Sequence, residues 1–218
     1  MARARTPLGT ALEASLSRRC AGPVAGIDEA GRGPWAGPVV AAAVVLGPGA
    51  PDVGIQDSKR LTARAREAAL EILSGAARIG IGRAEVAEIE ALGIVGATDL
   101  AMTRAVGELA GRCEVAGLLV DGRRVPPALA RVHAAEAVIG GDGIAASIAA
   151  ASIVAKVARD RLMDDLARRH PGYGWERNRG YGTAEHRAAL ARLGVTPEHR
   201  RSFRPIHNIL CEESRIDS

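Results

Sequence analysis

The chain has 218 residues, 47% of them hydrophobic, and a formal net charge of +4. That is enough for one sizeable core, and the modest basic excess fits a nucleic-acid partner without requiring one. The cysteines Cys20, Cys113 and Cys211 are scattered, with no C-x-x-C pair and no Cys/His cluster, which argues against a disulfide framework and for reduced thiols.

In chain order, residues 1–22 read as a basic lead-in with a short helix from Thr10 to Arg18. Its arginines flank no long apolar stretch, so it is not a secretory signal. Val24–Asp28 reads as a strand ending in an acid pair, and the β-branched run Val39–Leu46, bounded by Gly-Pro on both sides, as a buried strand. Gly49–Lys59 is expected to be a loop, Thr62–Leu73 a helix and Ala77–Val86 a strand. Ala97–Leu109 follows as a helix and Val115–Asp121 as a strand that again ends in an acid. A loop over Gly122–Arg131, a short strand Ala135–Ile139, the turn Gly140-Gly141-Asp142-Gly143 and a long helix Ile144–Arg168 come next. The tail holds a loop His170–Gly182, a helix Thr183–Leu193 and a helix start at Thr196-Pro197. The longest apolar runs, Val39–Leu46 and Ile144–Ala155, fall short of the roughly 20 residues of a membrane helix, so a soluble, cytoplasmic protein is expected. The order predicts an α/β fold with a mixed sheet.

The acids carry the chemistry. Asp28, Glu29, Asp121 and Asp142 all fall at strand ends or just beyond, and neighbouring strand ends converge on one crevice in open α/β sheets. Carboxylates so grouped stay ionised together only with cations among them. Two Mg²⁺ or Mn²⁺ ions about 4 Å apart would suit in-line hydrolysis of a phosphodiester. Taken singly, Asp121-Gly122 and Asp142-Gly143 are also ordinary turn dipeptides, and Asp142 is placed to cap the long helix. Gly31 and Gly33 leave backbone N–H groups open to a ligand.

Two features of composition bear on a substrate. Four of the five aromatic residues (Tyr173, Trp175, Tyr181 and Phe203, with Trp35 apart) lie in a basic region, either as stacking platforms for bases or as plugs of a satellite core. Of 29 basic residues only Lys59 and Lys156 are lysine. Lys156 is placed for a phosphate, for an i,i+4 pair with Asp160, or for both.

From Pro23 to Phe203 the chain resembles the ribonuclease HII family, which has the ribonuclease H-like fold. The resemblance is carried by Gly26-Ile27-Asp28-Glu29-Ala30-Gly31-Arg32-Gly33-Pro34, Asp57-Ser58-Lys59-Arg60-Leu61, Val120-Asp121-Gly122 and Gly141-Asp142. It continues through Ile148–Asp160, Gly180-Tyr181-Gly182-Thr183 and His199-Arg200-Arg201-Ser202-Phe203. It implies a mixed β-sheet flanked by helices over 23–169 and a small C-terminal helical extension over 170–218. It also implies a monomer that cuts the RNA strand of RNA–DNA hybrids and cuts 5′ of single ribonucleotides in DNA, leaving 3′-hydroxyl and 5′-phosphate ends. By the same resemblance Asp28, Glu29, Asp121 and Asp142 hold the metals, with Asp28 bridging. The Gly31-Arg32-Gly33 turn and Tyr181 read the 2′-hydroxyl, and Lys59, Lys156, Arg200 and Arg201 contact phosphates. The chain departs from the family pattern at Gly140 (often lysine), Gly182 (commonly proline, so a looser turn) and Gly93 (often asparagine). Ribonuclease HIII and a non-catalytic nucleic-acid-binding module are the alternative readings.

Overall fold

The structure is a computed structural model that describes residues 9–47 and 61–216. The expected loop Gly49–Lys59, and Lys59 with it, lies outside the described residues. One mixed sheet organises the chain. Strands β1 (Val24–Ala30), β2 (Val39–Leu46) and β3 (Ala77–Ala84) are antiparallel neighbours, while β4 (Gly117–Asp121) and β5 (Ala134–Val138) extend the sheet parallel to β1. The spatial order is β3-β2-β1-β4-β5.

The sheet is covered on both faces, which is why β2 is apolar throughout rather than alternating. Val39, Ala41 and Ala43 of β2 face a core built with Ala101, Ala105 and Leu109 of helix α3 (Val86–Ala110). Ala42 and Val44 face the opposite core, shared with Leu73 of α2 (Ala63–Ala76) and Ala150, Ile153 and Val154 of α5 (Ala146–Arg169). Alanines on both partners bring α5 close against β1 and β2, and so bring the polar residues of α5 within reach of the strand ends.

Three expectations change. The helix expected over Ala97–Leu109 begins at Val86 and bends at Gly93, whose φ is 68°. Its start is a reciprocal cap in which Glu88 accepts from the Glu85 N–H at 2.9 Å, and an acid in the cap position lacks the usual Ser/Thr signature. The loops over Gly122–Arg131 and His170–Gly182 contain one-turn helices, α4 (Pro127–Ala130) and α6 (Trp175–Asn178). Thr196-Pro197 starts no helix: the His199 N–H returns to the Thr196 carbonyl at 3.1 Å, and the last helix, α8, spans Arg204–Ile216.

The described part of the lead-in is tied down. Helix α1 (Ala11–Cys20) buries Leu16, and its Glu13 carboxylate accepts from Ser147 N–H at 2.9 Å and Ser147 hydroxyl at 2.7 Å. Glu13 thereby caps α5, whose own N-cap position is Ala145 and supplies no side chain for the purpose. At the other end, Tyr173, Trp175, Leu190 of α7 (Ala184–Leu193) and Ile206 form a satellite core with Ala36 and Met163. Two of the clustered aromatics are therefore plugs rather than platforms. Phe203 packs partly buried against the main core, and Tyr181 is the exception, with half its surface exposed.

Candidate active site

β1 and β4 end side by side. Their parallel register pairs Ile27 with Val120, so Asp28 and Asp121 follow at the next step of neighbouring strands. Asp28, Glu29 and Asp121 line a cavity of about 470 Å³ together with Gly31, Arg66, Ser152, Lys156 and Tyr181.

Asp28 is the most buried acid of the group, 6% exposed. Burial pushes its carboxyl up to about 7, and the charges of Glu29 and Asp121 add to the rise, against the pull of hydrogen bonds from the Ser152 hydroxyl and the Glu29 N–H. Burial raises Glu29 as well, while Arg32, at 3.3 Å, pulls it back. Asp121 accepts the Gly141 N–H at 2.7 Å. This bond ties the β4 end to the one-turn 3₁₀ segment Gly141–Gly143, which carries Asp142. Asp142 thus stands next to the residue bonded to Asp121 but does not line the cavity with the other acids.

The donor set fits a hard divalent cation. It consists of carboxylate oxygens, and Asp28 is held against its own ionisation by burial and by the charges of Glu29 and Asp121, a penalty that a cation among them would relieve. Each carboxylate nevertheless has its own local partner, and among the described residues no three acidic, His or Cys side chains converge on one point as a ready ligand cluster.

The opposite wall is cationic. Lys156 is ion-paired with Asp160, one turn along α5, so the local reading of that lysine holds while it also faces the cavity. Asp160 additionally meets Arg66 at 3.5 Å and Arg179 at 3.8 Å. Burial lowers the Lys156 ammonium, against the opposing effect of Asp160. Arg66 and Ser152 were not singled out as site residues by the sequence. Ser152 had a signal, as a hydroxyl in an apolar run one helical turn before Lys156.

Arg200 and Arg201 separate. Arg201 is exposed. Arg200 is fully buried, and its guanidinium donates to the carbonyls of Gly31, Arg32 and Gly37, so the expected phosphate contact gives way to an internal one. Gly182 also differs from expectation. A Cβ there would lie 2.0 Å from the Trp35 ring, so the glycine makes a tight contact rather than a loose turn.

A family model for ribonuclease HII matches residues 25–207, from the strand bearing Asp28 into the last helix. The chain belongs to the ribonuclease HII family. Ribonuclease HII of Ruegeria pomeroyi is 58% identical over 202 residues, covering 93% of this chain and 85% of that one. The crystal structure of ribonuclease H2 from Pyrococcus horikoshii matches with a TM-score of 0.71 at 27% identity, over 89% of this chain and 99% of that one. Bst-RNase HIII in complex with Mn²⁺ shares the fold, with a TM-score of 0.71 at 18% identity over 88% of this chain and 70% of that one. As a ribonuclease HII family member the chain is a ribonuclease H, and the HII reading prevails over the HIII alternative. Among the described residues no helix is long and apolar enough to cross a membrane.

Proposed function

We propose that this ribonuclease H cuts the RNA strand of RNA–DNA hybrids and cuts 5′ of a single ribonucleotide embedded in duplex DNA, leaving 3′-hydroxyl and 5′-phosphate ends. The observation that carries the proposal is that one cavity holds both halves of the task. The acids Asp28, Glu29 and Asp121 share it with Gly31 and Tyr181, the residues assigned to sugar recognition.

Asp28, Glu29, Asp121 and Asp142 would hold Mg²⁺ or Mn²⁺, two ions in the substrate complex. Bound there, the cations would supply an activated water and charge stabilisation at the scissile phosphate. The chain's own residues do the rest. Ser152 and the Glu29 N–H orient the Asp28 carboxylate. The Gly141 N–H holds Asp121. Amides of the Gly31-Arg32-Gly33 turn engage the 2′-hydroxyl and adjacent phosphate, and Tyr181 packs on the sugar bearing that hydroxyl, the one group that distinguishes it from its DNA neighbours. Lys156 and Arg201 meet phosphates, giving affinity without sequence preference. Lys59 is assigned the same role.

The test is an end-labelled DNA duplex holding one ribonucleotide, incubated with Mg²⁺ or Mn²⁺ beside an all-DNA duplex and an Asp121→Asn protein. A single cut 5′ of the ribonucleotide, absent from both controls, is expected. Tight binding with no cut on any substrate would replace this reading with that of a nucleic-acid-binding module.

A further inference from the structure

A guanidinium taken out of water needs acceptors for its N–H groups, and normally a carboxylate for its charge. Arg200 has the acceptors and, among the described residues, no carboxylate paired with it. Its Nε donates to the Gly37 carbonyl at 2.9 Å, Nη1 to that of Arg32 at 2.9 Å, and Nη2 to those of Gly31 at 2.6 Å and Gly37 at 2.7 Å. Arg159, also buried, extends the pattern, donating to Pro38 at 3.1 Å and Ala36 at 3.2 Å. Burial lowers Arg200 to about 9, so it remains a cation at neutral pH.

Backbone bonds complete the frame. Trp35 N–H donates to Gly180 at 2.8 Å, Gly37 N–H to Glu198 at 2.9 Å, and Arg200 N–H to Trp35 at 2.7 Å. Phe203 stacks 5.1 Å from the Arg200 guanidinium, and Ser202 is held to Glu90 of α3 through its N–H at 3.0 Å and hydroxyl at 2.9 Å. The carbonyls of Gly31 and Arg32 are thus turned inward onto Arg200. Among the described residues no hydrogen bond takes the N–H of Arg32 or Gly33.

We infer that Arg200 is a positioning residue for ribose recognition: by gripping carbonyls at both ends of the 31–37 turn, it presets the turn's amides toward the acid cavity before substrate arrives. The inference rests on the proposed reading of that turn as the 2′-hydroxyl sensor. The grip needs arginine, because only a planar fork with five donors reaches three carbonyls at once. Lysine would keep the charge and lose the fork.

The test measures, by fluorescence anisotropy in an uncut Asp121→Asn background, the affinity for a duplex with one ribonucleotide relative to an all-DNA duplex. A ratio of affinities is immune to loss of folded protein. Arg200→Lys should lower the ratio by about tenfold, roughly the contribution of one well-placed hydrogen bond. Gly33→Ala, which leaves a new Cβ 3.5 Å from the Tyr181 ring and so has room to fold, should also lower it. A fall in Gly33→Ala with an unchanged ratio in Arg200→Lys would overturn the Arg200 inference alone. An unchanged ratio in both, or no preference in the parent, would overturn the turn's sensing role with it. Should Arg200→Lys fail to fold, amide exchange of the unmodified protein decides. The Trp35, Gly37 and Arg200 amides should exchange as slowly as those of β1, and exchange at free-loop rates would show that the turn is not preset.

Discussion

Replacing Asp28 with asparagine should make the metal-free protein more stable at alkaline pH while removing its response to Mn²⁺. Asp28 is raised from 3.8 to about 7 in the fold, chiefly by burial. Each unit corresponds to about 1.4 kcal/mol, so ionising this group in place opposes folding by up to about 4 kcal/mol. The sign follows from proton counting. Between 3.8 and about 7 the folded chain binds more protons at this site than the unfolded chain, so stability falls as pH rises through that window and levels off above it. Asparagine keeps the shape, accepts the Glu29 N–H through its oxygen, and can donate to the Ser152 hydroxyl. Allowing for imperfect bonding, we expect Asp28→Asn to exceed the parent by roughly 2–4 kcal/mol at about pH 8.5 in EDTA, and by nothing near pH 4. Urea unfolding followed by circular dichroism gives both values. Added Mn²⁺ should raise the parent and leave the variant unmoved. A variant no more stable than the parent at high pH in EDTA would refute the claim that Asp28 is held ionised against its surroundings.

Further outcomes follow from the same geometry. His199 is fully buried and lowered to about 3 by burial and by the neighbouring His186, so between that value and 6.5 the unfolded chain binds more protons and stability is lost as pH falls. His199→Asn should flatten that acid limb by roughly 2–4 kcal/mol in pH-dependent unfolding, opposite in sign to the effect of Asp28→Asn. Asp160→Asn should destabilise by about 2–4 kcal/mol, since it leaves Lys156, Arg66 and Arg179 around an uncharged amide, and calorimetry would register the drop. Gly182→Ala should lower stability by about 1–3 kcal/mol through its clash with Trp35, and Trp35→Leu in the same chain should recover most of that loss. Additive losses in the double variant would show that the two residues do not share the space.

What could be read from the chain was local and apolar. Val39–Leu46 was legible to the residue because a β-branched run between two Gly-Pro pairs has no other stable use. The end of the strand at Asp121 was equally plain, although the strand itself starts at Gly117, two residues after the expected Val115. The juxtaposition of Asp28 with Asp121 depended on a general rule about strand ends, and it is the β1–β4 register that makes it concrete. Asp142 rests on the same rule at one remove: it falls just after a short strand, on the 3₁₀ segment whose Gly141 N–H is bonded to Asp121.

The C-terminal segment was least legible, and for one reason: residue type does not reveal burial in a basic stretch. Arg200 and Arg201 are chemically identical neighbours, yet one is sealed beneath the Gly31 turn and the other faces solvent. Likewise nothing in the sequence shows that His186 and His199 are buried together. Their tautomers nevertheless form a directed chain. The Thr196 N–H reaches His199 Nδ1 at 2.9 Å, His199 Nε2 lies 3.0 Å from His186 Nε2, and His186 Nδ1 lies 3.0 Å from the Tyr181 carbonyl. A carbonyl can only accept and an N–H can only donate, so His186 carries its proton on Nδ1 and His199 on Nε2. The Trp175 indole N–H also points at His186 Nε2, at 3.1 Å, so it shares that nitrogen's single lone pair with the His199 donor. Both rings must be neutral for this order to hold, which agrees with the direction in which burial moves them. The backbone of Tyr181 is therefore fixed from beneath by histidines, as the Gly31 turn is by Arg200. The tail's basic character looks like a surface for phosphate, but part of it is the scaffold that holds the Gly31 and Tyr181 side of the cavity in place.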